Sequence, residues 1–201
     1  MKSSDYKIVK LDDPELVEAI KSAGLAVIPT DTVYGICCDA SNTEAVAKLY
    51  ALKDRHSKPG TVIAASIDQL VGLGIKRRYL KAVEQYWPGP ISIEIPHGVG
   101  YLSQSTGRQA FRIVKNQELA GLLKKTGPLL TSSCNQPGEK PANNINEAID
   151  YFNGQVDVYV DGGDLSDREP STLIRVVDDI VEVIRKGAVK IDESGRIESK
   201  G

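Results

Sequence analysis

The chain is 201 residues long, 41% hydrophobic and 26% charged, with a formal net charge of −2. That length lets one domain bury a sizeable core, and that charge leaves no global basic field for nucleic acid. No apolar run nears the roughly 20 residues of a membrane span, and the N-terminal segment lacks the apolar core of a secretory signal. Three cysteines (Cys37 and Cys38 adjacent, Cys134 apart) and two histidines match neither a disulfide framework nor a metal-ligand spacing. A reduced, cytoplasmic protein is expected, without membrane attachment and without a protein-built metal site.

In chain order, residues 14–23 carry apolar side chains at helical spacing behind Pro14 and Glu15, with Gly24 as the stop. Residues 25–28 predict a short buried strand closed by Pro29, which cannot extend a ladder. Residues 43–53 predict a second helix, capped by Ser41 or Asn42, that runs into a charged loop. A buried strand is expected over 61–65, a short helix over 67–73 and a helix over 78–86 that ends before Trp87-Pro88-Gly89-Pro90. Residues 91–95 alternate as a half-buried strand does, and 98–107 read as a loop. Further strands are expected over 110–114, 128–131 and 156–160, with helices over 117–125 and 145–152. Residues 171–177 and 180–184 pair as a hairpin across Asp178-Asp179, and the polar tail from Ile191 is expected to be loose. This irregular alternation indicates one α/β (α+β) domain over 1–190, with a mixed sheet and flanking helices, and a tail over 191–201.

Polar loops follow several of the apolar strands. Thr30, Asp31, Thr32 and Tyr34 come directly after Pro29 and suit either a small-molecule site or a turn leading into the next helix. Lys53, Arg55 and Lys58, offset by Asp54, suit a phosphate or carboxylate, and equally a solvated helix C-terminus. Ser133 and Asn135 are compatible with holding a nucleotide phosphate or with an Asx turn. Arg112, inside an apolar strand, is either on an exposed face or buried against an anion, and Arg185 follows the last strand. A phosphate-binding P-loop, a Gly-x-Gly-x-x-Gly fingerprint and a Ser-His-Asp pattern are all absent.

Taken together, the chain resembles the YrdC-like family, the threonylcarbamoyl-AMP synthases of tRNA modification. Pro29-Thr-Asp-Thr-Val-Tyr-Gly35 matches the family's opening motif, Lys53-Asp54-Arg55 its Lys-x-Arg and Trp87-Pro88-Gly89-Pro90 its Trp-Pro-Gly-Pro. Ser133-Cys134-Asn135 matches Ser-x-Asn, Ser171-Thr172 a Ser-Thr before a strand, and Arg185-x-Gly187 the late Arg-x-Gly. The chain departs from the family pattern at His56, at Cys134, at Arg108 and in the segment around Arg112, which lacks the customary Pro and His.

The resemblance implies a twisted, mainly parallel sheet around a positive cavity that joins L-threonine, bicarbonate (or CO2) and ATP into threonylcarbamoyl-AMP, releasing pyrophosphate. ATP is then a substrate, Mg2+ accompanies it, and partner proteins transfer the product to adenosine 37 of tRNA. Carried over by motif, Thr32, Arg112 and Ser171 contact threonine; Arg55, Lys58, Ser133, Asn135 and Arg185 contact ATP. Lys53 and Arg55 lie at the reacting groups. The competing readings are a family paralogue that binds RNA or nucleotides through Lys53, Arg55, Lys58, Arg77, Arg78 and Lys81 without synthesis, and a carbamoyl-phosphate-using relative.

Overall fold

The computed structural model describes residues 6–54, 58–152, 154–178 and 180–198. Its strands are β1 (Lys7–Val9), β2 (Ala26–Pro29), β3 (Tyr34–Asp39), β4 (Thr61–Ala64), β5 (Ile91–Pro96), β6 (Arg108–Ile113), β7 (Leu129–Ser133), β8 (Val158–Val160), β9 (Thr172–Val177) and β10 (Ile180–Arg185). The helices are α1 (Pro14–Lys21), α2 (Thr43–Leu52), α3 (Ile67–Gly72), α4 (Arg77–Lys81), α5 (Gln117–Thr126) and α6 (Ile145–Phe152). Three of the longer helices start where a side chain satisfies an orphan backbone N–H. Asp13 accepts from Glu15 before α1, Asn42 from Ala45 in α2 and Asn116 from Leu119 in α5.

All ten strands join one sheet in the order β1-β8-β2-β3-β7-β4-β6-β5-β9-β10. Among the described residues four neighbouring pairs are parallel and five antiparallel. The sheet is mixed, as the irregular alternation of elements indicates, and its parallel share is below the majority that the family resemblance implies. The physical reason is β3: Tyr34–Asp39 turns back antiparallel on β2 and then pairs antiparallel with β7. Sequence pattern misses this strand because it is buried on both faces, so Tyr-Gly-Ile-Cys-Cys-Asp shows no polar alternation. The helix expected over 78–86 divides into α4 and a 3-10 turn, Glu84–Tyr86.

The tail is not loose over its described residues. Asp192 accepts hydrogen bonds from Ser194 and Arg196, Ile191 bridges Ile197, and Tyr86 Oη donates to the Gly195 carbonyl at 2.7 Å.

Two cores sandwich the sheet. On one face Leu49, Leu70, Leu80 and Phe152 pack over Val27, Ile36, Val62, Phe111, Ile93 and Ile174. On the other, Leu16 and Ile20 of α1 with Leu119, Leu122 and Leu123 of α5 cover Ala26, Ile28, Cys37, Ile63, Leu129 and Val158. This second core draws on β2, β3, β4, β7 and β8, with no residue from β5, β6 or β9 among the described residues. Those three strands turn the same face toward a cavity. Period-two alternation therefore decides the site: Ile91, Ile93 and Ile95 enter the core, whereas Ser92 and Glu94 point the other way.

The three cysteines are all buried within this sandwich. Burial pushes the thiols of Cys37 and Cys134 up to about 12 and raises that of Cys38 as well. A thiol reagent at about pH 8 is expected to label none of them in the folded protein and all three after unfolding. Rapid labelling of folded protein would mean that the sheet opens locally.

Candidate active site

The polar stretch after β2 divides its labour. Thr30 Oγ1 donates to the Val33 carbonyl at 2.6 Å and accepts from the Thr32 amide at 3.1 Å, which closes the turn. Tyr34 Oη donates to Gly163 O at 2.9 Å and accepts from Gly162 N at 2.8 Å. A Cβ at Gly162 would lie 2.3 Å from Pro29 Cβ, so glycine is required for that approach. Pro29, Thr30 and Tyr34 thus build the turn. Asp31 and Thr32 are left to meet Arg112.

Arg112 is on the cavity-facing side of β6, and its side chain is 4% exposed. Its Nη2 lies 3.0 Å from Asp31 Oδ1, with Asp31 9% exposed, and its Nη1 donates to Thr32 Oγ1 at 3.4 Å. Among the described residues neither Asp31 oxygen makes an aligned hydrogen bond and Arg112 Nε makes none either, so the contact is mainly one of charge. Burial pulls the Arg112 guanidinium below its ordinary value, and the Asp31 carboxylate opposes that shift.

A second group comes from the last hairpin. The register of β9 and β10 shifts between Val183 and Arg185, so that Val183 opposes the core residue Ile174 while Arg185 opposes the cavity residue Leu173. Without that bulge the two side chains would share a face; with it, Arg185 is re-aimed into the site. Its Nη2 donates to Ser171 O at 2.8 Å and Ser171 Oγ at 3.1 Å, while Nε reaches Ser171 O at 3.3 Å. Gly187 is needed just beyond, because a Cβ there would lie 2.2 Å from Pro170 O.

Lys53 stands at the helix end that the sequence predicts, but it is buried rather than solvated. It is the C-cap residue of α2 and only 4% exposed. Its Nζ donates to Ser133 O at 2.9 Å, to Asn135 Oδ1 at 3.1 Å and to Asn135 O. Ser133 Oγ donates to Asn135 Oδ1 at 2.7 Å, and Asn135 Nδ2 donates to Glu139 O at 2.7 Å. Lys53, Ser133 and Asn135 are therefore one network, with Ser133 on the cavity wall and the other two behind it.

These groups enclose a cavity of about 300 Å³. Of the site residues expected from the sequence, Thr32, Arg112, Ser133, Ser171 and Arg185 line it together. Lys58 is exposed beside the lining residue Pro59, and its amide donates to Gln104 Oε1 at 3.0 Å. Arg55 lies outside the described residues.

The structure adds lining residues that sequence reasoning does not assign, notably Thr131, Arg108, Glu94 and Arg175. Arg175 grips Glu94 at 2.6 Å and reaches Glu182 at 3.3 Å. The alternation in 91–95 marks Glu94 as facing away from the core, but not that a cavity waits there. Four guanidinium groups line the cavity, and with Glu94 and Glu182 against Arg175 and Asp31 against Arg112 the balance stays positive among the described residues. Two of the outer cations offered for RNA are paired with acids, Arg77 with Asp68 at 2.6 Å and Lys81 with Glu84 at 2.7 Å.

A mixed sheet whose β5, β6 and β9 turn one face toward arginines and hydroxyls defines a class of protein built around a cavity suited to a small anionic ligand. Comparison with known proteins gives that class a family. The Sua5/YciO/YrdC family model, described as telomere recombination, matches residues 18–187. A threonylcarbamoyl-AMP synthase of Cellvibrio japonicus is 33% identical over 153 residues, spanning 71% of this chain and 79% of that protein. A Mycobacterium tuberculosis relative is 30% identical over 187 residues, spanning 90% of this chain and 86% of its own.

Among solved structures, E. coli YciO superposes with a TM-score of 0.76 at 22% identity, over 92% of this chain and 96% of its own. P. abyssi Sua5, solved with L-threonine, gives a TM-score of 0.79 at 22% identity over 92% of this chain, which spans 58% of that protein. The chain belongs to the Sua5/YciO/YrdC family.

Proposed function

We propose that this chain synthesises L-threonylcarbamoyladenylate from L-threonine, bicarbonate (or CO2) and ATP, with release of pyrophosphate. The observation that carries the reading is the meeting of Thr32, Arg112, Ser133, Ser171 and Arg185, from five separate segments, at one electropositive cavity. The synthase from Cellvibrio japonicus supplies the reaction that such a cavity fits. Thr32, Arg112 and Ser171 hold the amino acid; Ser133, Asn135 and Arg185, with Lys58 and Arg55 from the charged loop, hold the nucleotide. Lys53 and Arg55 serve the reacting groups, Lys53 by fixing the loop that presents Ser133.

The chemistry asks for charge management more than for a general base. The threonine amine becomes a carbamate, whose oxygen attacks the α-phosphorus as pyrophosphate leaves. Negative charge accumulates at each step. Fixed guanidiniums and hydroxyl donors in a partly closed cavity stabilise it, at roughly 3–4 kcal/mol for a well-placed donor. Juxtaposing two reactants contributes a further ~7–11 kcal/mol.

Mg2+ is assigned to the substrate rather than to the protein. Glu94 is engaged by Arg175, Asp31 by Arg112, and no cluster of three His, Cys, Asp or Glu side chains suited to a metal exists among the described residues. The cation then arrives on the phosphates of ATP. The product passes to partner proteins for transfer to adenosine 37 of tRNA, a reaction placed in the cytoplasm. No described helix is long and apolar enough to cross a membrane.

The test is pyrophosphate release by purified protein with each substrate omitted in turn. Release is expected only when ATP, L-threonine and bicarbonate are all present. Release without threonine would point to another substrate, and none under any condition would leave a binding protein.

A further inference from the structure

Ser92 lies on the cavity-facing side of β5 and is 0% exposed. Its Oγ is 2.8 Å from Ser171 Oγ, the one side-chain hydrogen bond it makes among the described residues. Either oxygen could donate, and the surroundings settle which one does. If Ser171 donated, the Ser92 proton would be buried with no acceptor, which is costly. If Ser92 donates, its proton is satisfied. Ser171 Oγ then accepts twice, from Ser92 and from Arg185 Nη2 at 3.1 Å.

A hydroxyl oxygen has two lone pairs and one proton. With both lone pairs occupied, Ser171 keeps only its proton for a ligand. It sits on the cavity wall at 4% exposure, and that proton has no acceptor among the described residues. We propose that Ser92 is a positioning residue that fixes Ser171 as a hydrogen-bond donor toward an anionic oxygen of the bound amino acid. An ammonium group, which can only donate, is turned away from the same spot. Ser92 touches no substrate; it acts through Ser171.

This assignment rests on the synthase reading above, and the measurement chosen separates the two. L-Threonine is titrated calorimetrically into wild-type protein, Ser92→Ala, Ser171→Ala and the double variant, with kcat and KM for threonine measured alongside. Ser92→Ala is expected to weaken threonine binding by roughly tenfold, with KM rising more than kcat falls. In the Ser171→Ala background, Ser92→Ala is expected to cost nothing further, because the residue through which it acts is gone. Ser92→Thr, which keeps the hydroxyl, is expected to bind threonine close to the wild-type level.

Unchanged threonine affinity in Ser92→Ala overturns the assignment, as does a loss that simply adds to that of Ser171→Ala. If wild-type protein takes up no threonine, the synthase reading falls first and the assignment with it.

Discussion

Lys53→Met is expected to reduce pyrophosphate release by roughly 100-fold or more and to lower stability by about 2–4 kcal/mol. Methionine keeps much of the length and apolar volume, while the ammonium is lost together with its cation–π contact 5.5 Å from the Phe152 ring centroid. What remains is a half-buried turn in which Ser133 O, Asn135 O and Asn135 Oδ1 have lost their shared charged donor, while Ser133 Oγ still donates to Asn135 Oδ1 and the Asn135 amide to Ser133 O. Losing a charge-assisted donor to three oxygens at once is costly, and the turn relieves that cost by moving toward water. Ser133 moves with it, so the wall of the cavity is displaced by a change made behind it. Thermal melting monitored by circular dichroism, run beside the pyrophosphate assay, checks both effects. Wild-type stability with lost activity would mean that Lys53 touches the substrates directly. Wild-type stability and activity together would remove it from the site.

That residue also marks the limit of what the sequence reveals. The motif Lys53-Asp54-Arg55 is visible at once, yet its spacing at a helix end suits a solvated cluster as well as a buried tether. Only the packing of α2 against the loop after β7 makes Lys53 nearly inaccessible. The helical elements and most strands are legible because their periods and caps are local: Asn42 before α2 and Pro14 at the head of α1 announce themselves. The two-sided burial of β3 hides that strand from any alternation test.

Arg185 shows a second kind of invisibility. Its motif is readable, but the face it occupies depends on a bulge after Val183, and a one-residue shift in register reverses every later side chain. Ser92 and Glu94 carry the signal of a half-buried strand, and whether their outer face meets solvent or a cavity is a property of β5, β6 and β9 together. Local pattern finds the residues; pairing decides which of them meet.

Asp31→Ala is expected to destabilise the protein by about 3–5 kcal/mol, because it leaves the Arg112 guanidinium buried without its countercharge. For a chain of this size that corresponds to a fall in melting temperature of roughly 6–20 °C. The cause can be separated from loss of packing by removing the cation too. Asp31→Ala combined with Arg112→Leu is expected to recover much of the lost stability, since the uncompensated charge is then absent. Activity is expected to be lost in the double variant even as stability returns, because Arg112 lines the cavity and is assigned to the amino acid. The pair thus has two separable duties: Asp31 makes a buried arginine tolerable, and Arg112, whose Nε has no partner among the described residues, keeps donor capacity for a ligand. A single variant as stable as wild type would show that water already reaches Arg112 freely. The cavity would then be too wet to strengthen the charge interactions on which the proposed adenylate chemistry depends.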